Sequence, residues 1–220
     1  MQIPKLDMIQ RDDWLTEAAY GKRVLHVGCT DRPMTTSRIK NNKLLHTRLV
    51  QVAEEVIGLD IDKEGIETLS NLMPEQKFLV HNAEELDRCE ALAGKKFDVV
   101  VAADVIEHIS NIGLFLAGIR NKLNPGGKLL ITTPQAFAIK RMITMILLSY
   151  ENVHPDHIAY FSPATLFRIL SRYNLTIEQT YMFQWQNPTL KNRLANSLLM
   201  PILWLSGGRL CDEIAVVVTE

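Results

Sequence analysis

The side chains best suited to chemistry follow directly on short apolar runs of the sequence. The first is Asp60, which ends the run EVIGLD. A carboxylate at the end of a buried strand can accept hydrogen bonds from both hydroxyls of a ribose, which is a charge-assisted and geometrically specific pairing. The alternative is that Asp60 or Asp62 only caps a helix that starts near Lys63. The position therefore predicts a ribose-binding carboxylate, with helix capping as the competing interpretation.

A second polar group, Asn82, Ala83 and Glu84, follows the apolar run KFLV. An amide and a carboxylate at this place could recognise the edge of an adenine, because together they offer both donors and acceptors. They could also cap a short helix. By itself this group does not decide between the two functions.

The strongest strand signal in the chain is FDVVVAAD, since consecutive valines are typical of a strand that is covered on both faces. The strand brings Ala103 and Asp104 to its carboxyl end, and His108 follows shortly after. A neutral imidazole there could take a proton from a hydroxyl or an amine. A lone histidine can equally be a hydrogen-bonded structural residue, so His108 is a catalytic candidate with a structural alternative.

Further candidates lie in the segment HPDH, which carries His154, Asp156 and His157. One of these side chains could be a general base, or the group could bind a divalent cation. Since the segment has no third ligand at a fixed spacing, the sequence predicts no metal site. The remaining interpretation is a loop that is anchored by hydrogen bonds.

These residues depend on a framework in which strand and helix patterns alternate. Such alternation predicts βαβ units, hence an α/β fold with a mostly parallel sheet and helices on both faces. Ligands of these sheets bind beyond the carboxyl ends of the strands, near the point where the strand order reverses. The predicted strands are 24–27, 55–60, 77–80, 97–104, 128–133, 175–183 and 213–219, and the predicted helices are 6–20, 43–53, 63–72, 113–123 and 163–173. Ser162 is predicted to cap the last of these helices and Pro163 to start it, because Ser is a good N-cap and Pro suits the first helical position. The last two strands lack a well-placed crossover helix, so one of them is predicted to be antiparallel.

Two segments, 134–162 and 184–212, do not fit this alternation and are predicted as excursions that cover the active-site end of a single domain, 1–220. They contain the apolar runs MITMILL and LANSLLMPILWL, and Pro201 is expected to break the second of them. The runs could simply be buried, could form a lid over an apolar acceptor, or could dock to a membrane surface or a second subunit, through 194–205 in particular. Neither run is long enough to span a bilayer, so no transmembrane segment is predicted.

Composition excludes several classes of protein. The 220-residue chain has a formal net charge of -1, which argues against a general nucleic-acid binder. The basic stretch 32–53 contains no acidic residue, and it could be a solvated face or a patch for an anionic substrate. Three widely spaced cysteines indicate neither a disulfide framework nor a zinc site, which favours a reducing, cytoplasmic location.

The combination of motifs resembles the class I S-adenosylmethionine-dependent methyltransferases over most of the chain. In that family a strand leads to a glycine-rich loop, here VLHVGCTDR, and an acid ends the second strand, here VIGLD. The counterparts of the later motifs are NAEEL, FDVVVAADVIEHIS and the PGG turn. The chain is most similar to the small-molecule branch that includes ubiquinone-type O-methyltransferases and bacterial sugar or polysaccharide-cluster methyltransferases. The resemblance implies a Rossmann-like, doubly wound seven-stranded sheet whose last strand is antiparallel.

The resemblance also implies the position of a bound S-adenosylmethionine. Its methionine part would lie over Gly28, Cys29 and Thr30, and its amine would face Ala103 and Asp104. Its ribose would be held by Asp60, its adenine would pack on Ile61, and the adenine edge would lie near Asn82, Ala83 and Glu84. His108, His154 and His157 are the catalytic candidates at the acceptor end.

The resemblance therefore predicts methyl transfer from S-adenosylmethionine to an oxygen or nitrogen of a small-molecule acceptor. One alternative follows from the loop, where His26, Thr30 and Arg32 replace an acid and two glycines of the family pattern. Side chains at these places restrict how closely backbone approaches a ligand. The alternative is a catalytically silent binding or scaffold domain with an eroded cofactor loop. A nicotinamide-dependent enzyme is less consistent, because Gly28 alone remains of its three-glycine fingerprint.

Overall fold

The computed structural model describes residues 10–184 and 190–220, although not the side chains of 190–193 and 195. Within these residues a single seven-stranded sheet forms the centre of the molecule. Its strands are β1 (Arg23–Val27), β2 (Glu55–Asp60), β3 (Lys77–Val80), β4 (Phe97–Ala103), β5 (Leu123–Pro134), β6 (Thr176–Phe183) and β7 (Glu213–Thr219).

The strand order is β3-β2-β1-β4-β5-β7-β6. The chain builds outward from β1 to β3, crosses back to place β4 on the other side of β1, and then builds outward again. Strands β1 to β5 pair in parallel, while β7 runs antiparallel to both of its neighbours. The predicted fold class, including the antiparallel last strand, is confirmed. The order reverses between β1 and β4, which is where such a sheet opens its ligand crevice.

The continuous apolar sequence of β4 is explained by its central position. Val100 and Ala102 belong to one hydrophobic cluster, whereas Val99 and Val101 belong to another on the opposite face of the sheet. All four side chains are buried. Because neighbouring residues of a strand point to opposite faces, both faces must be covered for such a run to be stable.

Eight helices of the described residues surround the sheet: α1 (Arg11–Ala19), α2 (Thr35–Lys40), α3 (Leu45–Val52), α4 (Lys63–Leu72), α5 (Ile112–Arg120), α6 (Ile139–Leu148), α7 (Pro163–Arg172) and α8 (Leu190–Leu205). Among these residues no helix combines the length and the apolar character that crossing a membrane requires. Leu15 and Leu49 join the second of the two clusters, and Phe115 joins the first. Helices therefore cover both faces, as expected.

The predicted helices are largely found, with instructive differences. Ser162 caps α7 as predicted, and its side chain and that of Thr165 form a reciprocal capping box. The part of the first predicted helix that precedes residue 10 lies outside the described residues. Pro201 does not break the second apolar run, because α8 continues through it. The basic stretch after Gly28 contains an unpredicted helix, α2, whose six residues are too few to show a periodic pattern.

The Pro125-Gly126-Gly127 segment is part of an irregularity inside β5 rather than a turn before it. Phe97 pairs with Leu123, whereas Val99 pairs with Lys128, so extra residues are accommodated in β5 at this point. Such a bulge tolerates a proline and a glycine at positive φ. The strand predicted from residue 128 therefore begins earlier, at Leu123.

Candidate functional site

A cavity of about 840 Å³ opens at the carboxyl ends of β1, β2 and β4, at the point of strand reversal. This volume is within the usual range for small-molecule and cofactor sites. The cavity brings together every residue that the sequence predicted for cofactor binding or catalysis: Gly28, Cys29, Thr30, Asp60, Ile61, Asn82, Ala83, Glu84, Ala103, Asp104, His108, His154 and His157. Their roles remain predictions, but their convergence is a property of the fold.

Gly28 forms a bare backbone surface in this cavity. Its φ is +73°, a left-handed conformation that favours glycine, and a Cβ atom here would lie 2.5 Å from Val105 Cγ2. The amides of Gly28 and Cys29 both donate to the carbonyl of Leu59, which fixes the turn to the end of β2. The Cys29 side chain is fully buried, and burial, followed by the charge of Asp60, raises the pKa of its thiol. Cys29 therefore offers its backbone rather than a nucleophile.

Asp60 ties the loop to the end of the second strand. Its Oδ2 accepts hydrogen bonds from the backbone amide and the hydroxyl of Thr30, each at 2.9 Å, and its Oδ1 accepts from the amide of Asp62 at 3.0 Å. The carboxylate does not cap α4; Asp62 occupies the N-cap position there. The next residue, Ile61, is 71% exposed although it is apolar. A carboxylate beside an exposed apolar side chain suits a ribose that carries a planar base.

The group after β3 caps a short helix, which is one of the two functions considered for it. Asn82 caps a short 3-10 helix, Ala83–Arg88, by accepting a hydrogen bond from the amide of Glu84 at 2.9 Å. Glu84 Oε1 accepts from the amide of Ser110 at 2.8 Å, which joins this segment to the one after β4. The capping interpretation is thus correct for Asn82, and the residues still line the cavity.

Arg11 is a cavity residue that the sequence did not reveal. Its guanidinium forms an ion pair with Asp104, which also accepts a hydrogen bond from the Thr132 hydroxyl at 3.0 Å. Burial opposes the charge of Arg11, but the carboxylates of Asp104, Glu213 and Asp12 together raise its pKa. The start of α1 has no local motif that would identify a ligand. Only the packing of this helix beside β4 brings the guanidinium to the site.

The three candidate histidines form one cluster at the edge of the cavity. The ring of His157 lies 4.7 Å from that of His108 and 5.2 Å from that of His154. His108 Nδ1 lies 2.9 Å from the carbonyl oxygen of Asp156, and a carbonyl can only accept. Nδ1 of His108 therefore carries a proton, and in the neutral ring Nε2 keeps its lone pair. Burial, followed by the charges of His108 and His154, lowers the pKa of His157 to about 4.

Glu107 lies directly beneath this cluster and was not among the predicted site residues. The side chain is fully buried; Oε2 accepts a hydrogen bond from the Thr133 hydroxyl at 3.0 Å, and Oε1 has no hydrogen-bond partner among the described residues. Burial, followed by the charge of Asp104, raises the pKa of its carboxyl to about 8. Its backbone carbonyl accepts from the amides of Ile158 and Ala159, which attaches the histidine segment to the end of β4.

Glu107, His108 and His157 each offer one ligand atom, and these atoms lie within 4.8 Å of one another. Two imidazoles and a carboxylate can hold a divalent cation. The hydrogen bond from His108 Nδ1 to a carbonyl is the kind of contact that orients a metal-binding imidazole. The sequence predicted no metal because HPDH lacks a third ligand. In the fold only His157 of that segment belongs to the group, and Glu107 and His108 come from the segment after β4.

A separate pair of histidines lies below the loop that contains Gly28. His26 and His46 are both buried, their rings are stacked, and their Nδ1 atoms are 3.1 Å apart. One Nδ1 must donate and the other accept, so the arrangement requires at least one neutral ring. His26 stands where the family pattern has an acid, so the structure uses this position for an internal contact with α3.

The pair leads to a prediction about stability and pH. Burial lowers the pKa of His46 to about 4, whereas an unfolded histidine titrates near about 6.5. The unfolded state therefore binds the proton first, and stability is lost as the pH falls through this window. Relative to His46→Phe, we expect wild type to lose about 2 kcal/mol of unfolding free energy between about pH 8 and about pH 5. Urea unfolding of both proteins at both pH values measures this loss. If the difference in unfolding free energy between wild type and His46→Phe were the same at both pH values, the buried pair would not be neutral.

Comparison with known proteins is consistent with this geometry. A family model described as "Methyltransferase domain" matches residues 10–180. The chain is 31% identical to the ubiquinone biosynthesis O-methyltransferase of Azorhizobium caulinodans over 117 residues, which cover 51% of this chain and 40% of that relative. The chain thus spans less than half the length of this curated relative.

Solved structures show the same fold. A SAM-dependent methyltransferase from Archaeoglobus fulgidus superimposes with a TM-score of 0.62 at 17% identity, covering 96% of this chain and 91% of that one. The N-methyltransferase NodS from Bradyrhizobium japonicum WM9, in complex with S-adenosyl-L-homocysteine, gives a TM-score of 0.57 at 14% identity, covering 94% and 84% of the two chains. At such identities the likeness concerns the fold alone.

Proposed function

Because a methyltransferase domain covers its residues 10–180, this chain belongs to that family, and we propose that it transfers a methyl group from S-adenosylmethionine to an oxygen or nitrogen of a small-molecule acceptor. The predicted family resemblance is confirmed. The observation that carries the proposal is the convergence of the predicted cofactor residues and the histidine cluster on one cavity. Three free cysteines suit the reducing cytoplasm as the place of this reaction.

The residues present fit the proposed cofactor. Gly28 lines the cavity with backbone alone, and its positive φ together with the contact that a Cβ would make with Val105 requires a glycine there. Asp60 retains acceptor capacity at Oδ1 for a ribose hydroxyl, and Ile61 offers an exposed apolar surface to an adenine. These contacts would fix the nucleoside half of the ligand.

Arg11 and Asp104 would hold the amino-acid half. Side by side, a guanidinium and a carboxylate complement the carboxylate and the ammonium group of a methionine moiety. Their own ion pair would then be exchanged for contacts with the ligand. This arrangement assigns a role to Asp104 that agrees with the family resemblance and adds Arg11 to it.

The acceptor end is defined by the histidines. When bound, S-adenosylmethionine supplies an electrophilic methyl group on a sulfonium, and the protein has to align the acceptor and remove its proton. His108 is the residue that we assign as the base, because its hydrogen bond to the Asp156 carbonyl leaves Nε2 as a proton acceptor. Glu107 would position this segment through its backbone contacts with residues 158 and 159.

Calorimetric titration with S-adenosylhomocysteine tests the proposal without knowledge of the acceptor. We expect saturable binding at one site, weakened at least about tenfold by Asp60→Asn, because hydrogen bonds to a charged group contribute about 1.5–3 kcal/mol. Asp98→Asn is the matched control: Asp98 also accepts a backbone N–H, from Arg23, but at the opposite edge of the sheet. The Asp98→Asn variant is expected to bind S-adenosylhomocysteine with the same affinity as wild type.

Absence of binding at millimolar ligand would overturn the proposal and favour the alternative of a silent scaffold. One contact motivates that alternative. Thr30 stands where the family has a glycine, and it already donates twice to Asp60 Oδ2. If this contact excludes the ribose, Thr30→Gly should restore binding that wild type lacks.

A further inference from the structure

Two helices expose large apolar side chains at the same edge of the sheet as the cavity. Helix α6 follows the carboxyl end of β5. Helix α8 follows β6, which is parallel to β5, and precedes β7, which runs the other way. The two excursions are joined: the amide of Ile139 donates to the carbonyl of Leu210, and Lys140 forms an ion pair with Asp212 at 2.8 Å.

The last turn of α6 is apolar on all sides. Met145, Ile146, Leu147 and Leu148 are consecutive, and they are 52%, 74%, 73% and 69% exposed. Four consecutive residues cover the full circumference of an α-helix, which has 3.6 residues per turn. The end of α6 therefore projects from the protein with no polar face of its own.

Helix α8 is apolar on two opposite faces. Leu203 is buried, and Leu199 and Met200 pack against the main hydrophobic cluster. On the other side Leu198 and Trp204 are 78% and 75% exposed. A surface helix normally carries charged or polar residues on its outer face, so this helix is built to have a second apolar neighbour.

The charges inside the two apolar segments have one sign, although Glu151 and Asp212 follow the segments directly. Segments 134–150 and 184–211 contain no Asp or Glu, and their basic residues are Lys140, Arg141, Lys191, Arg193 and Arg209. The negative charge of Asp212 offsets the positive charge of Lys140. Arg141 contacts a backbone carbonyl and the Tyr160 ring, so these contacts do not offset its positive charge. The chain as a whole has a net charge of -1, so this positive balance is local.

We propose that the exposed faces of α6 and α8 dock on an anionic lipid bilayer, with the exposed apolar side chains entering the interface and the positive charge balance of the two segments favouring anionic head groups. Amphipathic and apolar helices flanked by Lys and Arg bind such surfaces both by burying apolar area and by electrostatic attraction to anionic lipids. A second copy of the chain fits less well, because a two-fold interface pairs the same surface patch of both copies and would bring two positively charged patches together. Docking at this edge would place the mouth of the cavity at the lipid surface.

Co-flotation of the full-length protein with lipid vesicles tests this inference. We expect binding to phosphatidylcholine vesicles that contain about a third phosphatidylglycerol, weaker binding to phosphatidylcholine alone, and a decrease with added salt. The double variant Leu147→Glu, Trp204→Glu should lower the bound fraction at least about tenfold. Leu72→Glu, which changes an exposed leucine on α4, is the matched control and should bind like wild type.

Tryptophan fluorescence adds a second observable. Of the three tryptophans, Trp204 is exposed, Trp14 is buried, and Trp185 lies outside the described residues. Vesicles should shift the emission of wild type to shorter wavelengths, and Trp204→Phe should reduce the shift while flotation persists. No flotation of wild type, or equal flotation of the double variant, would overturn the proposal. So would a dimer, seen by light scattering, that the double variant dissociates while vesicles remain unbound. Because vesicle binding needs no cofactor, these outcomes are independent of the methyl-transfer test.

Discussion

Replacing Gly28 by valine is expected to reduce the affinity for S-adenosylhomocysteine more than about a hundredfold. Two effects add. At a φ of +73° a side chain costs about 1–2 kcal/mol, and more for a β-branched residue. The new Cβ would also lie 2.5 Å from Val105 Cγ2, so the loop or the segment after β4 must move, and both line the cavity.

The control for this variant is Gly94→Val. Gly94 has nearly the same conformation, with a φ of +68°, but a Cβ there would have no neighbour within 4 Å, and it does not line the cavity. We expect a similar loss of stability from backbone strain and an unchanged affinity. Calorimetry and thermal unfolding of both variants separate the two effects. Equal affinities for Gly28→Val and wild type would mean that the ligand does not lie over this loop.

The fold could be predicted because its strongest signals are local. The run of valines in β4, the acid that ends β2 and the Ser162-Pro163 start of α7 each reflect constraints within a few residues, and the structure realises all three. The mostly parallel sheet then followed from general rules on crossover connections, whereas the doubly wound seven-stranded sheet with its antiparallel last strand was implied by the family resemblance. The six-residue α2 was missed because it is shorter than two helical turns and because Thr35 is its only buried residue.

The site was predictable only in part, because chemistry depends on contacts across the sequence. Arg11 and Asp104 are 93 positions apart, and nothing near Arg11 indicates an ion pair inside a cavity. Glu107 was visible within VIEH, but its importance depends on the fold, which places His157 and Thr133 beside it. Pro201 misled for the opposite reason: a local rule predicts a break, whereas packing of Leu203 against the core keeps α8 continuous.

The second large effect concerns the acceptor end of the site. We expect His108→Gln to lower kcat by about 10²–10⁴, the usual contribution of a general base, while the affinity for S-adenosylhomocysteine changes less than about threefold. Glutamine can still donate to the Asp156 carbonyl, but its amide group cannot accept a proton as Nε2 of the imidazole does. The measurement is the release of S-adenosylhomocysteine with the best acceptor found in a panel of phenols, carboxylates and amines.

His154→Gln is the matched variant, because it changes the same residue type in the same cluster. His154 Nδ1 already accepts a hydrogen bond from the Asp156 amide at 3.3 Å, and His154 is not part of the group formed by Glu107, His108 and His157. The decrease in kcat of the His154→Gln variant should therefore stay below about tenfold. Equal decreases in kcat of both variants would indicate that activity requires an ordered histidine segment and that His108 is not the base. If EDTA abolishes the wild-type rate and added Zn²⁺ restores it, the group formed by Glu107, His108 and His157 holds a cation that activates the acceptor, and His108 is a ligand rather than the base. A rate that EDTA leaves unchanged assigns the proton transfer to the imidazole itself.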